Sequence, residues 1–361
     1  MTRTTLHASR RMVLGAAAGS LAVGTYLRRA WAATPLRVSA YGGYFEDMLS
    51  QNMYPDFTAA TGIPVETVSQ QGGASWFTVI ETGLAAGTAP TDVTMSGGQE
   101  PLRFPQLFTA LDESRIPSLA NVPPQLVHRK PEGQPDMVPV LAWYTTFVTN
   151  TDVYPDPPAS WADAWDARFK NALGWGADAD TNYLLDITAV TFFGGQDILK
   201  TRDGMLQVMA KAAELKDNVT LWYRDEGQFQ SALQSGEVPA GQYYHDVTTV
   251  MAADGFPVRS TFPKEGGVID FGAWGLVPNT DKADEAHVFM EFSCQPEVQA
   301  KITRTLGTAP VVRRELLDLT DEELAAVQGP GAPIVPLYAV YVADGDWIAE
   351  KWTELVTGAG T

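Results

Sequence analysis

Between Leu36 and Gly98 the sequence switches repeatedly between two periods, and this constrains the fold more than any other feature. Leu36-Arg37-Val38-Ser39-Ala40-Tyr41 alternates with the period of two of a strand and ends at Gly42-Gly43. A helix is expected over Phe45–Thr58, stopped by Thr61-Gly62-Ile63-Pro64-Val65, which opens a second short strand. Trp76–Ala86 carries Phe77, Ile80 and Leu84 at helical spacing and ends at Gly87. Thr91–Met95 reads as a buried strand closed by Ser96-Gly97-Gly98. Strands and helices in alternation, with glycines at the strand exits, describe an α/β domain with a largely parallel sheet. Ligands of such sheets sit beyond the carboxyl ends of the strands. Tyr41–Tyr44 and Ser96–Gly98 fall there.

A second α/β unit follows. Val138–Trp143 and Thr145–Thr149 read as extended segments, and Tyr154-Pro155-Asp156-Pro157-Pro158 as a stiff surface loop. Ser160 is placed to cap a short helix over Trp161–Trp165, with Asp163 in its first turn. Helices are expected over Met205–Lys216, Ala283–Cys294, Pro296–Leu306 and Gly345–Val356, and strands within Glu237–Tyr244 and Asp270–Val277. Asp178-Ala179-Asp180-Thr181-Asn182-Tyr183 reads as a helix start with acids in its first turn, its mouth towards a cleft. A length of 361 residues suits two domains. With no clean linker, they are expected to be joined by chain crossings.

The first 32 residues hold five arginines (Arg3, Arg10, Arg11, Arg28, Arg29) and no acid, and read as an address. Ser9-Arg10-Arg11-Met12-Val13-Leu14 matches the twin-arginine export pattern. The apolar stretch Met12–Leu27 is broken by glycines and is shorter than the roughly 20 residues a spanning helix needs. Ala30-Trp31-Ala32 supplies a cleavage site, so the leader is expected to be cut after Ala32 and the protein to work in the periplasm. Its removal leaves 20 basic residues against 43 acidic ones. Such a balance argues against nucleic acid as partner.

Catalytic motifs are missing. There is no G-x-S-x-G, H-E-x-x-H, phosphate loop or G-x-G-x-x-G, and only His128, His245 and His287 follow the leader. The one cysteine, Cys294, excludes a disulfide framework or thiolate metal cage and reads as a buried structural thiol. No catalytic residue, cofactor or metal site is therefore expected. Two alternatives stand beside this: a ferric-ion binder using the phenols of Tyr243 and Tyr244, and a twin-arginine-exported enzyme.

Several segments together resemble the periplasmic solute-binding proteins of ABC importers, within them the spermidine/putrescine-binding branch. They are Phe57–Val65, Val138–Asn150, Ser160-Trp161-Ala162-Asp163-Ala164-Trp165 with Asp166–Lys170, and Pro263-Lys264-Glu265-Gly266-Gly267. The resemblance implies a two-lobed α/β fold of type II. Its first lobe would take residues 33–142 and 273–310 and its second residues 143–272 and 311–361, with hinge crossings between. It further implies a small polyamine-like ligand, delivery to an inner-membrane permease, and a monomer. Carried over by position, the pocket would draw on Tyr41, Tyr44 and Ser96 from the first lobe and Asp178, Thr181 and Tyr244 from the second. The chain departs from the pattern after Gly267, where it reads Val268-Ile269-Asp270-Phe271-Gly272-Ala273-Trp274. Gly272 stands where the family has an acid, Thr181 replaces a glutamate and Tyr41 a tryptophan. Asp246, Asp270 and Trp274 are the residues that could rebuild the lost charge and ring area. The class of solute binder follows from the resemblance; the ligand is left open by these departures.

Overall fold

The computed structural model describes residues 34–71 and 74–358. The expected leader and its cleavage site lie outside them, as does the side chain of Tyr44.

Among the described residues, nine strands form one mixed sheet: β1 (Leu36–Tyr41), β2 (Val65–Gln70), β3 (Val93–Ser96), β4 (Met137–Asn150), β5 (Leu173–Gly176), β6 (Val219–Tyr223), β7 (Ala240–Tyr244), β8 (Val258–Thr261) and β9 (Val268–Leu276). Their order is β2-β1-β3-β9-β4-β7-β5-β6, with β8 also on β4. The parallel trio β2-β1-β3 is the unit expected from Leu36 to Gly98, and β9 closes it antiparallel. Parallel β7-β5-β6 forms the counterpart at the other end. Helices cover both units, giving a two-lobed α/β fold.

Two principal cores result. One gathers Leu36, Phe57, Met95, Val140, Trp274 and Phe289; the other Trp161, Trp175, Leu184, Met209, Tyr341 and Trp352. A satellite forms around Phe229 and Tyr243. The extended segments expected at Val138–Trp143 and Thr145–Thr149 are a single strand, β4, which runs from the first core into the second. It pairs with β9 from Met137 to Thr145 and with β7 and β8 beyond. The β4–β9 register shifts between Pro139 and Leu141, where the proline has no N–H to give the ladder.

Local departures from expectation have simple causes. The helix expected over Phe45–Thr58 is two helices, Tyr44–Asn52 and Tyr54–Thr61, because Pro55 cannot donate to the preceding turn. Ser160 does cap Trp161–Trp165 in a reciprocal box with Asp163, although that turn is a 3-10 helix. The same segment docks on the Pro263–Gly267 motif. Glu265 accepts the Ser160 hydroxyl and the Trp161 amide, and the Trp161 indole donates to the Gly266 carbonyl at 2.9 Å. Gly266 has φ +103, and a Cβ there would lie 2.2 Å from the Ala332 carbonyl. Ser160–Trp165 and Pro263–Gly267 thus form a structural clasp. Among the described residues no helix is long and apolar enough to cross a membrane. Cys294 is buried, which pushes its thiol pKa upward.

Candidate functional site

The strand exits meet between the lobes. Asp270 on β9 lies opposite Trp143 on β4, so both face the same side of the ladder. One Asp270 oxygen accepts the Tyr338 hydroxyl at 2.7 Å and the Phe271 N–H at 2.8 Å; the other accepts the Tyr183 hydroxyl at 2.7 Å. Burial raises the Asp270 pKa, and the donors only partly offset it. Tyr183 adopts φ +55, a left-handed conformation that costs a bulky residue about 1–2 kcal/mol. Asn182 holds that turn, donating to the Gly176 carbonyl and accepting the Leu184 N–H, both at 2.9 Å.

From the first lobe come Tyr41 at the end of β1 and Ser96 at the end of β3. One turn past Ser96, the Glu100 carboxylate lies 3.5 Å from its hydroxyl. Burial raises the Glu100 pKa, and the nearby charge of Asp270 adds to the effect. The Tyr41 phenol is raised by burial and then by Glu100 and Asp270, which places the three within electrostatic reach of one another. Gly98 lets the Tyr338 ring approach closely: a Cβ there would sit 2.4 Å from it.

The second lobe supplies a cavity of about 90 Å³ whose lining includes Asp178, Thr181, Tyr223, Arg224, Glu226 and Tyr244. Glu226 opens the helix Glu226–Ser235, with Asp225 as its cap, and accepts the Tyr244 hydroxyl at 2.7 Å. Asp246, in the first turn of the next helix, has one oxygen buried with no hydrogen-bond partner. Burial and, more weakly, the charge of Glu226 raise its pKa. None of Glu100, Glu226, Asp246 and Asp270 forms an ion pair among the described residues.

The rim differs. Asp178 pairs with Arg224 at 3.1 Å, and Asp180 with Arg103 at 2.8 Å. Gln99 also donates to the Asp180 carbonyl at 2.8 Å, so Gln99 and Arg103 join the first lobe to the second. A larger open groove of about 870 Å³ runs outward from this rim past Trp222, Trp347 and Trp352. Its three arginines are already matched, Arg202 by Asp344 at 2.6 Å and the other two as above. This groove and the acids of the cleft are in different places.

Of the residues singled out in the sequence, Tyr41, Ser96, Tyr244, Asp246 and Asp270 lie in or beside this cleft. Asp178 and Thr181 are exposed at its rim and line the 90 Å³ cavity together with Tyr244. The helix expected from Asp178 starts only at Leu184, so neither Asp178 nor Asp180 is in its first turn; Asp186 is. Trp274 requires a correction. It is 0 % exposed and packs edge-on against Phe289 at 5.2 Å in the first core, so it cannot offer its ring to a ligand. Gly272 is hemmed in by Leu141 and Met95, each about 3.3 Å from a Cβ, which leaves an acid no easy place there. The Tyr243 hydroxyl points to the Glu226 carbonyl at 3.2 Å and Gln230 at 3.3 Å, and that of Tyr244 to the Glu226 carboxylate, so both phenols are engaged.

Sequence reading missed Glu100, Glu226, Tyr183, Tyr338 and Trp143. Glu100 lies four residues after Ser96 and Glu226 three after the end of β6, positions that a search for acids just past strand ends would have found. Nothing local marks Tyr338, which meets Asp270 across 68 residues.

Residues 52–325 match the model of the bacterial extracellular solute-binding protein family. The chain belongs to that family. This solute-binding protein is 23% identical over 305 residues to the spermidine/putrescine-binding periplasmic protein of Salmonella typhimurium, covering 83% of this chain and 85% of the relative. Its fold is shared with an ABC transporter substrate-binding protein from Bradyrhizobium japonicum, at TM-score 0.73 and 19% identity over 89% of this chain and 99% of the other. It is also shared with the periplasmic binding protein MotA of Agrobacterium tumefaciens B6, solved with glucopine, at TM-score 0.69 and 18% identity over 89% and 99%. The solute-binding protein is accordingly the ligand-capturing component of an ABC transporter rather than an enzyme, and proteins of this kind pass a small ligand to a membrane permease.

Proposed function

We propose that the protein captures a small organic cation of the polyamine class in the periplasm and delivers it to an inner-membrane importer. One observation carries this reading: Glu100, Asp246, Asp270 and Glu226 lie in or beside the cleft, and among the described residues none of them forms an ion pair with a lysine or arginine, Arg103 reaching Glu100 only at longer range. A desolvated carboxylate without a counter-ion costs several kcal/mol. Ammonium groups on a ligand offset that cost, and the rings of Tyr41, Tyr244 and Trp143 add about 0.5–2 kcal/mol for each cation seated over a face. At about 90 Å³, the cavity beside Glu226 and Tyr244 suits a slender chain rather than a sugar. The spermidine/putrescine-binding relatives support the same class.

The crossings β4 and β9 serve as the hinge in this reading, with residues 33–142 and 273–310 moving against 143–272 and 311–361. Export by the twin-arginine route, cleavage after Ala32 and action as a monomer complete it.

Calorimetry with putrescine and spermidine, with glutamate and glucose as controls, tests the proposal. Amine alone should give binding heat, and at a hundredfold excess over Kd should stabilise the protein by about 2.7 kcal/mol. Silence with both amines in heat and in melting temperature removes the polyamine class. An absorption band on adding ferric ion would favour the two tyrosines as iron ligands instead.

A further inference from the structure

Two carboxylates flank one short stretch of chain, and the hydrogen bonds between them close a ring. Asp270 accepts the hydroxyls of Tyr338 and Tyr183. Three residues after Tyr183, Asp186 accepts the Tyr341 hydroxyl, the Leu337 N–H at 3.2 Å and the Gln196 amide at 2.6 Å. Leu337 and Tyr341 bracket Tyr338. The circuit therefore runs from Asp270 through Tyr338 to the Leu337–Tyr341 stretch, then to Asp186, and back through the turn to Tyr183.

The approach to this ring is tied down as well. Gln196 donates a second time, to the Val335 carbonyl at 2.9 Å, and Ile334 exchanges bonds with Gly267 and Ile269 along β9 at 2.9 and 3.0 Å. Asp186 is 0 % exposed and has no cation beside it, an arrangement that an apolar residue would avoid at lower cost if only packing mattered. On the far side, the Tyr338 ring rests on Gly98 of the first lobe.

We propose that Asp186 is a positioning residue for the ligand site: without reaching the cleft, it sets Tyr338 through Leu337 and Tyr341. Tyr338 in turn orients Asp270 and seats the ring against the first lobe. The proposal rests on the cleft being the ligand site, and its test separates the two.

Tyr341→Phe removes one donor to Asp186 and little volume, and Asp186→Asn removes the charge. Each variant is compared with the native chain in calorimetry with putrescine and spermidine, and in amide hydrogen exchange without ligand. Losing a hydrogen bond to a charged acceptor should weaken amine binding by about tenfold in Tyr341→Phe. Exchange should quicken both at 337–341 and at Gly97–Gln99, which the substitution does not touch. A lower melting temperature with unchanged affinity and unchanged exchange at Gly97–Gln99 would mean that Asp186 merely supports the core, and the proposal falls. If Asp186→Asn does not fold, Tyr341→Phe decides alone. If the native chain binds neither amine, the ligand reading fails, and the exchange comparison at Gly97–Gln99 still decides the role of Asp186.

Discussion

The rim and the interior of the cleft use the same residue types to opposite ends. At the rim, Asp178 and Asp180 are each met by an arginine, and the Asp180 pair joins the lobes. Inside, Asp270 accepts the hydroxyls of Tyr183 and Tyr338, Glu100 lies 3.5 Å from the Ser96 hydroxyl and Asp246 keeps one buried oxygen without a hydrogen-bond partner; among the described residues none of the three forms an ion pair, although the charge of Arg103 reaches Glu100. The difference shows that an acid's local partner, rather than its presence in the chain, tells where a cationic ligand can gain. Charge neutralised by the protein is unavailable to a guest; charge left unmatched is an invitation to one.

The comparison breaks first at Asp270. Asp270→Asn should weaken amine binding at least about a hundredfold, since an uncompensated partner is lost in a desolvated site. Calorimetry reads this, and a loss under about threefold would place the ligand elsewhere. Glu226→Gln should cost about tenfold, less because Glu226 is exposed and solvent screens it.

Acidity gives a third test. The pKa values of Asp270, Glu100 and Asp246 are raised in the folded chain, chiefly by burial. A raised carboxyl favours the fold while protonated, and that contribution is lost as pH rises through the folded value. The ligand-free protein should therefore gain stability from these groups as pH falls through their raised folded values towards the ordinary carboxylate range of about 4, while amine affinity falls over the same interval. Glu323, held down to about 2 mainly by Arg304, acts with the opposite sign, but only below the unfolded carboxylate range. Melting curves with and without spermidine across the interval check both trends; affinity that rises on acidification would contradict them. The smallest effect belongs to the rim, where Asp178→Ala should change affinity by less than about threefold, as expected for an exposed pair.

What the sequence revealed follows the same division. The bounds of β1 and of the helix Pro296–Leu306 were legible because alternation, proline and the glycine at 307 act locally. Ser160 was legible as a cap for the same reason. Trp274 misled because its place in the chain suggested a cleft residue, whereas its strand face turns it into the core against Phe289. The family departures at Thr181 and Gly272 suggested a site short of charge. Glu100 and Glu226 supply that charge from other elements, and no rule of spacing along one segment connects them with Asp270. Tyr338 is harder still, since only the return of the chain after residue 330 brings it beside Asp270.

Because β4 contributes Val140 to one core and Phe147 to the other, and β9 is laddered to it across the junction, neither lobe has a sheet it can keep when the other melts. Unfolding should then be all-or-none, with calorimetric and van't Hoff enthalpies in agreement. A single melting temperature would therefore report the occupancy of the cleft, and a panel of amines could be ranked by heat alone without a label on either partner.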